Sequence, residues 1–229
     1  MSAGTLVLLR HGRTAYNAAL RLQGQVDIPL DDIGVWQAEQ GGRALATSHR
    51  ADKIVASDLS RAYATAQGYA VALGGMEITR DARLRERGFG VWEGLNDAEM
   101  AEGWPQEHAA WKRGAEPTST GAELKVDVAA RMVEAIAEHA EPMGERDTLV
   151  VVSHGAAITL AVTGLLGLDT SSWRGISGMH NVHWSHLHRS RPGATPAWRL
   201  VAHNVGAGFP LDEWNTGPDW NLEPSEDSA

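Results

Sequence analysis

Three short apolar runs without polar–apolar alternation most constrain what this chain can fold into. They span residues 5–9 (TLVLL), 53–56 (KIVA) and 148–152 (TLVVV). Continuous apolar runs of this length are typical of strands that are buried on both faces of a sheet. Each run is followed by a polar or glycine-containing turn and then by a helical pattern. This alternation predicts an α/β fold, a three-layer α/β/α sandwich around a largely parallel central sheet.

Two segments carry helical patterns that fit such a sandwich. In residues 128–140 the apolar side chains recur every fourth residue, which predicts an amphipathic helix. Residues 156–168 are apolar nearly all round, which predicts a helix packed inside the fold. Residues 181–187 and 198–202 are predicted to be strands. A further helix should begin near Gly34, with Asp31 or Asp32 as its cap, and these two acids therefore carry no functional interpretation.

The chain has 229 residues, of which 43% are apolar, enough for one large core. We therefore expect a single domain over residues 1–205. Residues 206–229 hold six acidic residues and no Lys or Arg. This acidic C-terminal tail is expected to be partly disordered, or docked through Trp214 and Trp220.

The composition limits the classes of partner. With 20 basic and 29 acidic residues the formal net charge is −9, which argues against nucleic acid or an anionic membrane as the main partner. An anionic ligand would need a local basic pocket. The sequence contains no cysteine, which excludes disulfides and thiol chemistry and fits a reducing compartment. No run approaches the length of a membrane helix, so a cytoplasmic location is expected.

Basic side chains follow the three apolar runs, at the end where each strand should stop. Arg10, His11 and Gly12 come directly after the first run, Arg61 follows the second near a helix start, and His154 follows the third. Ligands of open α/β sheets bind outside the carboxyl ends of the strands. Guanidinium and imidazole N–H groups match the oxygens of a tetrahedral anion. The pattern therefore predicts a phosphate site, completed by donors at helix N-termini.

A hydrolase would also need a proton donor for the leaving alcohol. Glu86 is the best candidate, although it could instead form a surface ion pair with Arg85 or Arg87. His11 on its own could equally be a satisfied loop or core residue.

The ordered set of motifs resembles the histidine phosphatase (phosphoglycerate mutase-like) superfamily. The resemblance runs from Leu6 to about Ala202. It is carried by Arg10, His11, Gly12, Asn17, Gln23, Gly24, Asp27, Pro29, Leu30, Gly34, Gln37, Arg61, Thr65, Glu86, His154 and Gly155.

The resemblance implies a role for each matching residue. His11 would be the nucleophile that forms a phosphohistidine, and Glu86 the general acid. Arg10, Arg61 and His154 would hold the phosphoryl group and stabilise its charge in the transition state. Substrate contacts would come from Asn17, Gln23, Gly24 and Gly155, of which Asn17 and Gln23 also suit cap and turn roles. The implied mechanism requires neither a metal nor a cofactor.

Within the superfamily the chain is more similar to the phosphatases than to the mutases. The residues after Glu86, including Trp92, Glu93 and Gly94, resemble the phosphatase branch, and the long basic insertion of the mutases is missing before Val126. Residues 10–25, 57–65, 126–131 and 198–200 are similar to the glucosyl-3-phosphoglycerate phosphatase subfamily, which implies a small phosphorylated metabolite as substrate. A phosphomonoesterase of broad specificity, a mutase that retains the phosphoryl group and a non-catalytic phospholigand-binding scaffold are the alternatives.

Other side chains allow more than one interpretation. On a strand His180, His186 and His188 would share one face, with His183 on the other, but no acid at metal-ligand spacing completes a site, so a histidine-rich surface strand is preferred. The same stretch, residues 181–187, is an exposed late strand through which a homodimer could form. The tryptophans at 92, 104, 111, 173, 184 and 198 should divide between the core and a rim facing the substrate, with the core favoured. Relatives often have Gly-Gly-Glu-Ser where this chain has Gly121, Ala122, Glu123 and Leu124. Glu123 is therefore available, but its hydrogen-bond partners are left open.

Overall fold

In the computed structural model, residues 2–217 form a mixed six-stranded sheet with helices on both faces. The strands lie in the order β3-β2-β4-β1-β5-β6. All pairs from β3 to β1 are parallel, whereas β5 runs antiparallel to both of its neighbours. The strands are β1 (Thr5–Arg10), β2 (Lys53–Ala56), β3 (Ile78–Arg80), β4 (Thr148–Ser153), β5 (Trp184–Arg189) and β6 (Trp198–Val205).

Eight α-helices are found in residues 2–217. They are α1 (Ala15–Ala18), α2 (Asp32–Ser48), α3 (Ser60–Ala72), α4 (Asp97–Gly103), α5 (Pro105–Lys112), α6 (Lys125–Ala140), α7 (Gly155–Leu165) and α8 (Leu211–Thr216). Two short 3₁₀ turns cover Ala82–Leu84 and Gly90–Trp92. No helix in this part of the chain has the length and apolarity needed to span a bilayer.

The central strand β1 shows why the apolar runs lack alternation. Its side chains alternate between the two faces of the sheet, and both faces are covered. Leu6 and Leu8 belong to the core cluster that contains α6 and α7. Val7 and Leu9 belong to the opposite cluster, which contains residues of α2 and α3. The predicted three-layer sandwich is therefore confirmed.

The predicted helices exist with shifted ends. Asp31 accepts the Gly34 N–H at 2.8 Å and caps α2, which begins at Asp32. Helix α7 ends at Leu165, three residues before the predicted end, and Gly167 follows with a left-handed φ of 71°. Glycine adopts that conformation readily and commonly ends helices.

The prediction of a strand over residues 181–187 was wrong at its start. Val182 has a left-handed φ of 52°, which breaks the extended chain, and β5 begins only at Trp184. His180 and His183 therefore precede the strand. The proposed exposed late strand was also wrong, because β5 lies between β1 and β6 and only β6 is at that edge of the sheet.

The start of the acidic tail docks on the body. Helix α8 buries Trp214 to 1% exposure within the cluster that also holds Leu45 and Val182. The rings of Trp36 and Phe209 pack against its ring at centroid distances of 5.2 and 5.4 Å, in tilted orientations. Trp220 lies outside the described residues.

Candidate active site

His11 lies directly after β1 and is 2% exposed. Its Nδ1 is 2.7 Å from the carbonyl oxygen of Gly12. A carbonyl can only accept, so Nδ1 carries the ring hydrogen and Nε2 keeps its lone pair. Burial, and then the charges of Arg61 and Arg10, hold the pKa of His11 well below its usual value. The ring is therefore neutral at neutral pH, with Nε2 available as a nucleophile.

The turn after His11 is fixed by direct packing of backbone on backbone. An added Cβ at Gly12 would lie 2.5 Å from the Gly34 carbonyl oxygen, and one at Gly34 would lie 1.9 Å from the Arg13 carbonyl oxygen. Both positions therefore require glycine. The Gly12 N–H donates to Thr65 Oγ1 at 2.9 Å, which ties the turn to α3.

Arg61 is fully buried at the start of α3. It donates to the carbonyls of Val26 and Gly24, each at 2.8 Å, and through Nε to Nδ1 of His154 at 3.2 Å. Since a guanidinium only donates, His154 Nδ1 accepts, and its Nε2–H donates to Ser57 Oγ at 2.9 Å. Both ring nitrogens of His154 are thus engaged by protein groups.

Arg10 ends β1 beside the same space. One of its Nη groups donates to the Met179 carbonyl, while its Nε is buried and has no hydrogen-bond partner. An unsatisfied buried donor is rare in folded proteins. Neither Arg10 nor Arg61 forms an ion pair with an acidic side chain of residues 2–217. Two guanidinium groups without acidic partners, next to neutral His11, make a site for a doubly charged anion.

Glu86 lies at the N-terminus of α7. Its carboxylate accepts the backbone N–H groups of Ala156, Ala157 and Arg87 at 3.2, 2.9 and 2.8 Å. These three donors fix the orientation of the Glu86 carboxyl group at the start of α7. Its charge also acts on both Arg10 and Arg61, which places it beside the phosphate-binding groups. The alternative surface pair is not formed, since Arg85 pairs with Asp58 and Arg87 with Glu116.

Glu123 supports the segment that carries Glu86. It accepts from the Gly88 N–H at 2.7 Å, from Gln25 at 3.2 Å and from Arg131 at 2.9 Å. Arg131 also donates to the Glu86 carbonyl at 2.9 Å. Burial raises the pKa of Glu123, but its bonds with Arg131 and Gly88 lower it more.

The predicted substrate contacts differ in what they do. Asn17 forms a capping box with Thr14, and its Oδ1 also accepts from Asn181, so its amide nitrogen is the part left for a ligand. Gln23 accepts from Thr14 Oγ1 at 2.9 Å. Gly24 has a φ of 52° and supplies the carbonyl that holds Arg61. Gly155 begins α7 against Arg10.

Sequence reasoning missed several residues that shape the site. Ser57 holds His154, and Asn181 donates to the His11 carbonyl at 3.0 Å. The left-handed Val182 donates to the Arg10 carbonyl at 3.1 Å. A left-handed φ is strained in a β-branched residue, and strain of this kind is concentrated at functional sites. It depends on the folded backbone, so the sequence alone does not reveal it.

Helix α8 braces the same turn from outside. Trp214 donates its indole N–H to the Asn181 carbonyl at 2.7 Å, and Gln37 donates to the Trp214 carbonyl at 2.6 Å. Arg13 donates to the Asn215 carbonyl at 2.7 Å. The C-terminal helix therefore contacts the segments that hold His11.

The histidine stretch does not assemble as one set. The rings of His186 and His188 meet edge to face at a centroid distance of 4.4 Å, as do those of His49 and His186, whereas His180 and His183 precede the strand. No group of three potential metal ligands occurs within residues 2–217. Of the tryptophans named above, those at 92, 184 and 198 are buried and Trp173 is 39% exposed.

The fold and this arrangement define a phosphate-handling α/β enzyme. The chain belongs to the histidine phosphatase superfamily (branch 1), whose model matches residues 6–205, and it is a phosphatase of that superfamily. It is 37% identical over 226 residues to the glucosyl-3-phosphoglycerate phosphatase of Mycobacterium tuberculosis (strain CDC 1551 / Oshkosh), covering 93% of this chain and 99% of the relative. A probable phosphoglycerate mutase of Salmonella paratyphi C is 38% identical over 170 residues, covering 70% and 74%.

Solved structures give the same likeness. The mycobacterial glucosyl-3-phosphoglycerate phosphatase in complex with VO3 superposes with a TM-score of 0.81 at 35% identity. That match covers 89% of this chain and all of the other.

Proposed function

We propose that this phosphatase hydrolyses small phosphate monoesters, glucosyl-3-phosphoglycerate among them, through a phosphohistidine on His11. One observation carries the proposal: His11 is buried and neutral, with a free Nε2 lone pair, beside two guanidinium groups that lack acidic partners. The likeness to a mycobacterial phosphatase of that name over almost its full length supports the substrate. A solved relative is in complex with VO3, a small oxyanion comparable to phosphate, and this supports the phosphate site.

In the first half-reaction His11 acts as the nucleophile. Its Nε2 lone pair attacks phosphorus, the ester P–O bond breaks, and the leaving oxygen takes the proton of Glu86. Arg10 and Arg61 bind the phosphoryl oxygens and stabilise their charge in the transition state. His154 acts through Arg61, because the bond to its Nδ1 fixes the plane of the guanidinium.

In the second half-reaction water replaces the alcohol. Glu86, now a carboxylate, takes a proton from water as its oxygen attacks phosphorus. The P–N bond breaks, the electron pair returns to Nε2, and orthophosphate leaves. Each group ends in its starting state. Asn17 and Gln23 contribute amide N–H groups to the substrate, and no step draws on a metal or cofactor.

Phosphate release from three substrates in the presence of chelator tests the proposal. We expect release from glucosyl-3-phosphoglycerate, 3-phosphoglycerate and an aryl phosphate, abolished by His11→Gln but unchanged by the matched control His188→Gln on β5. Quenching in base should trap a chain heavier by one HPO3 group. Transfer between phosphoglycerate positions without phosphate release would favour the mutase alternative, and binding without turnover the scaffold.

We also propose that the enzyme is a cytoplasmic homodimer. Its charged substrates stay in the compartment that makes them, and β6 offers an edge strand with Val201 54% exposed. Sedimentation equilibrium should give twice the chain mass, and the mass of one chain would contradict the dimer. Cell fractionation should recover the activity in the cytoplasmic fraction, and recovery in another fraction would contradict the location.

A further inference from the structure

A cavity of about 510 Å³ opens beside the phosphate site, lined by Arg10 and Glu86. This volume is typical of sites for small metabolites. Of the charged side chains that line it, four are cationic and only Glu86 is acidic, in a chain whose net charge is −9. The cavity therefore concentrates positive charge beyond the groups that the proposed phosphate chemistry uses.

Two of these cations, Lys125 and Arg174, converge on one oxygen. Lys125 Nζ donates to the Gly114 carbonyl at 3.0 Å. One Nη group of Arg174 donates to the same carbonyl, and its other Nη group donates to the Arg113 carbonyl at 2.7 Å. Because each hydrogen bond spans about 3 Å, the two nitrogens lie within about 6 Å of each other. They come from separate segments, the first residue of α6 and the loop after α7.

No acidic side chain of residues 2–217 forms an ion pair with Lys125 or Arg174. Glu116, whose charge acts on Lys125, forms an ion pair with Arg87 at 2.8 Å and accepts only the backbone N–H of Lys125. A shared neutral carbonyl does not offset the repulsion between two cations. A carboxylate, with two oxygens, offers one acceptor to each of them.

An aromatic side chain completes the wall of this cavity. Trp173 is 39% exposed and adjoins Arg174, and Ile176 and Leu160 line the cavity nearby. A partly exposed indole beside an anion-binding site suits the C–H face of a sugar ring, since the indole face carries partial negative charge.

Resting on the proposed function, we infer that Lys125 and Arg174 bind the carboxylate of the substrate and that Trp173 covers its glycosyl group. The enzyme therefore selects phosphate monoesters of hydroxy acids over those of neutral alcohols. The phosphoryl group occupies the Arg10, Arg61 and His11 end, and the acid occupies the Lys125 and Arg174 end.

A matched pair of substrates isolates the carboxylate. 3-Phosphoglycerate and glycerol 3-phosphate differ only in a carboxylate against a hydroxymethyl group. We expect the wild type to prefer the former in kcat/KM roughly tenfold to hundredfold, the range of one or two charge-assisted hydrogen bonds. Arg174→Gln and Lys125→Gln should remove most of that preference while changing glycerol 3-phosphate turnover less than about twofold.

Three controls complete the test. Arg43→Gln, on the exposed face of α2, should behave as wild type, and Lys125→Arg should keep the preference. Trp173→Leu should lower kcat/KM for glucosyl-3-phosphoglycerate without affecting 3-phosphoglycerate. Equal losses on both members of the pair, or no preference in the wild type, would overturn the inference.

Binding distinguishes this inference from the proposed function. If the wild type hydrolyses nothing, calorimetric titration of the same two compounds still measures the carboxylate preference and its loss in Arg174→Gln. Equal affinity for the two compounds would refute the subsite, whatever the catalytic outcome.

Discussion

Arg61 donates its Nε–H to Nδ1 of His154 at 3.2 Å, so the tautomer of the histidine is set by the arginine. His154 in turn places its Nε2–H on Ser57 Oγ. The guanidinium that should meet the phosphoryl group is therefore held by a buried relay from β2 through His154.

Removing the far end of this relay should disturb catalysis as well as folding. Ser57→Ala leaves the buried Nε2–H of His154 without an acceptor, at a cost of about 1–3 kcal/mol in unfolding free energy. A displaced guanidinium should lower kcat/KM roughly tenfold to hundredfold. Urea unfolding and steady-state kinetics measure both, with Ser190→Ala in the β5–β6 loop as control. A loss of stability with unchanged kcat/KM would restrict the relay to a structural role.

The role of Glu86 as proton donor predicts a dependence on the leaving group. Glu86→Gln should slow hydrolysis of alkyl phosphates by roughly 10²–10⁴-fold, the usual range of general acid catalysis. The single-turnover rate of aryl alcohol release should fall far less in Glu86→Gln, because an aryl alcohol leaves without needing a proton. Glu102→Gln, exposed on α4, should match the wild type on both. An equal loss on alkyl and aryl substrates would argue for a positioning role.

Stability should fall as the pH drops below about 6.5, the usual pKa of histidine. Burial, and then the charge of Arg61, lower the pKa values of His11 and His154 in the folded chain. The unfolded chain therefore binds more protons in this range, and each residue reduces the unfolding free energy by at most about 1.4 kcal/mol per pH unit. Urea unfolding at pH 8.5, 7.5, 6.5 and 5.5 should show little change above 7.5 and a decline below, shallower in His154→Gln. A pH-independent difference between the two proteins would refute this origin.

The contact between the His11 turn and α2 predicts a sharp difference between two glycines. Gly34→Ala would place Cβ 1.9 Å from the Arg13 carbonyl oxygen, so the backbone must move, and we expect a loss of at least about 2–3 kcal/mol. Gly103→Ala, at the end of α4, meets nothing within 4 Å and should change stability by less than about 1 kcal/mol. Thermal unfolding of both variants tests this; similar melting temperatures would contradict the packing argument.

Helix α8 should matter for both stability and activity. Trp214→Ala removes a buried indole and should cost about 3–5 kcal/mol, whereas exposed Leu211→Ala should cost less than about 1 kcal/mol. Since Trp214 holds the Asn181 carbonyl, kcat should fall in the fraction that remains folded. A kcat per folded molecule equal to that of the wild type would show that α8 does not support the catalytic turn.

The layers of the fold and the main site residues could be predicted because their signals are local. Val7 and Leu8 face opposite layers, and because both layers are apolar the sequence of β1 is a continuous apolar run. Arg10 and His11 follow this run at the edge of the sheet where ligands bind. The error at residues 181–187 had a different cause: Val182 prefers extended backbone, but hydrogen bonds to the Arg10 and His11 carbonyls hold it left-handed. Tertiary contact overrode local propensity there. The pairing of Lys125 with Arg174 likewise depends on loops that only the folded chain brings together.

The braces of the catalytic turn also dictate when it can be completed. Asn181, Trp214 and Asn215 contact residues 11–37 across separations of 170, 177 and 202 positions. Synthesis proceeds from the N-terminus, so the turn that carries His11 leaves the ribosome long before these partners exist. The N-terminal half of the protein supplies β1, β2 and β3, but β4, which lies between β1 and β2, is made later. A nascent chain that stops before α8 then carries its nucleophile without the brace that holds it.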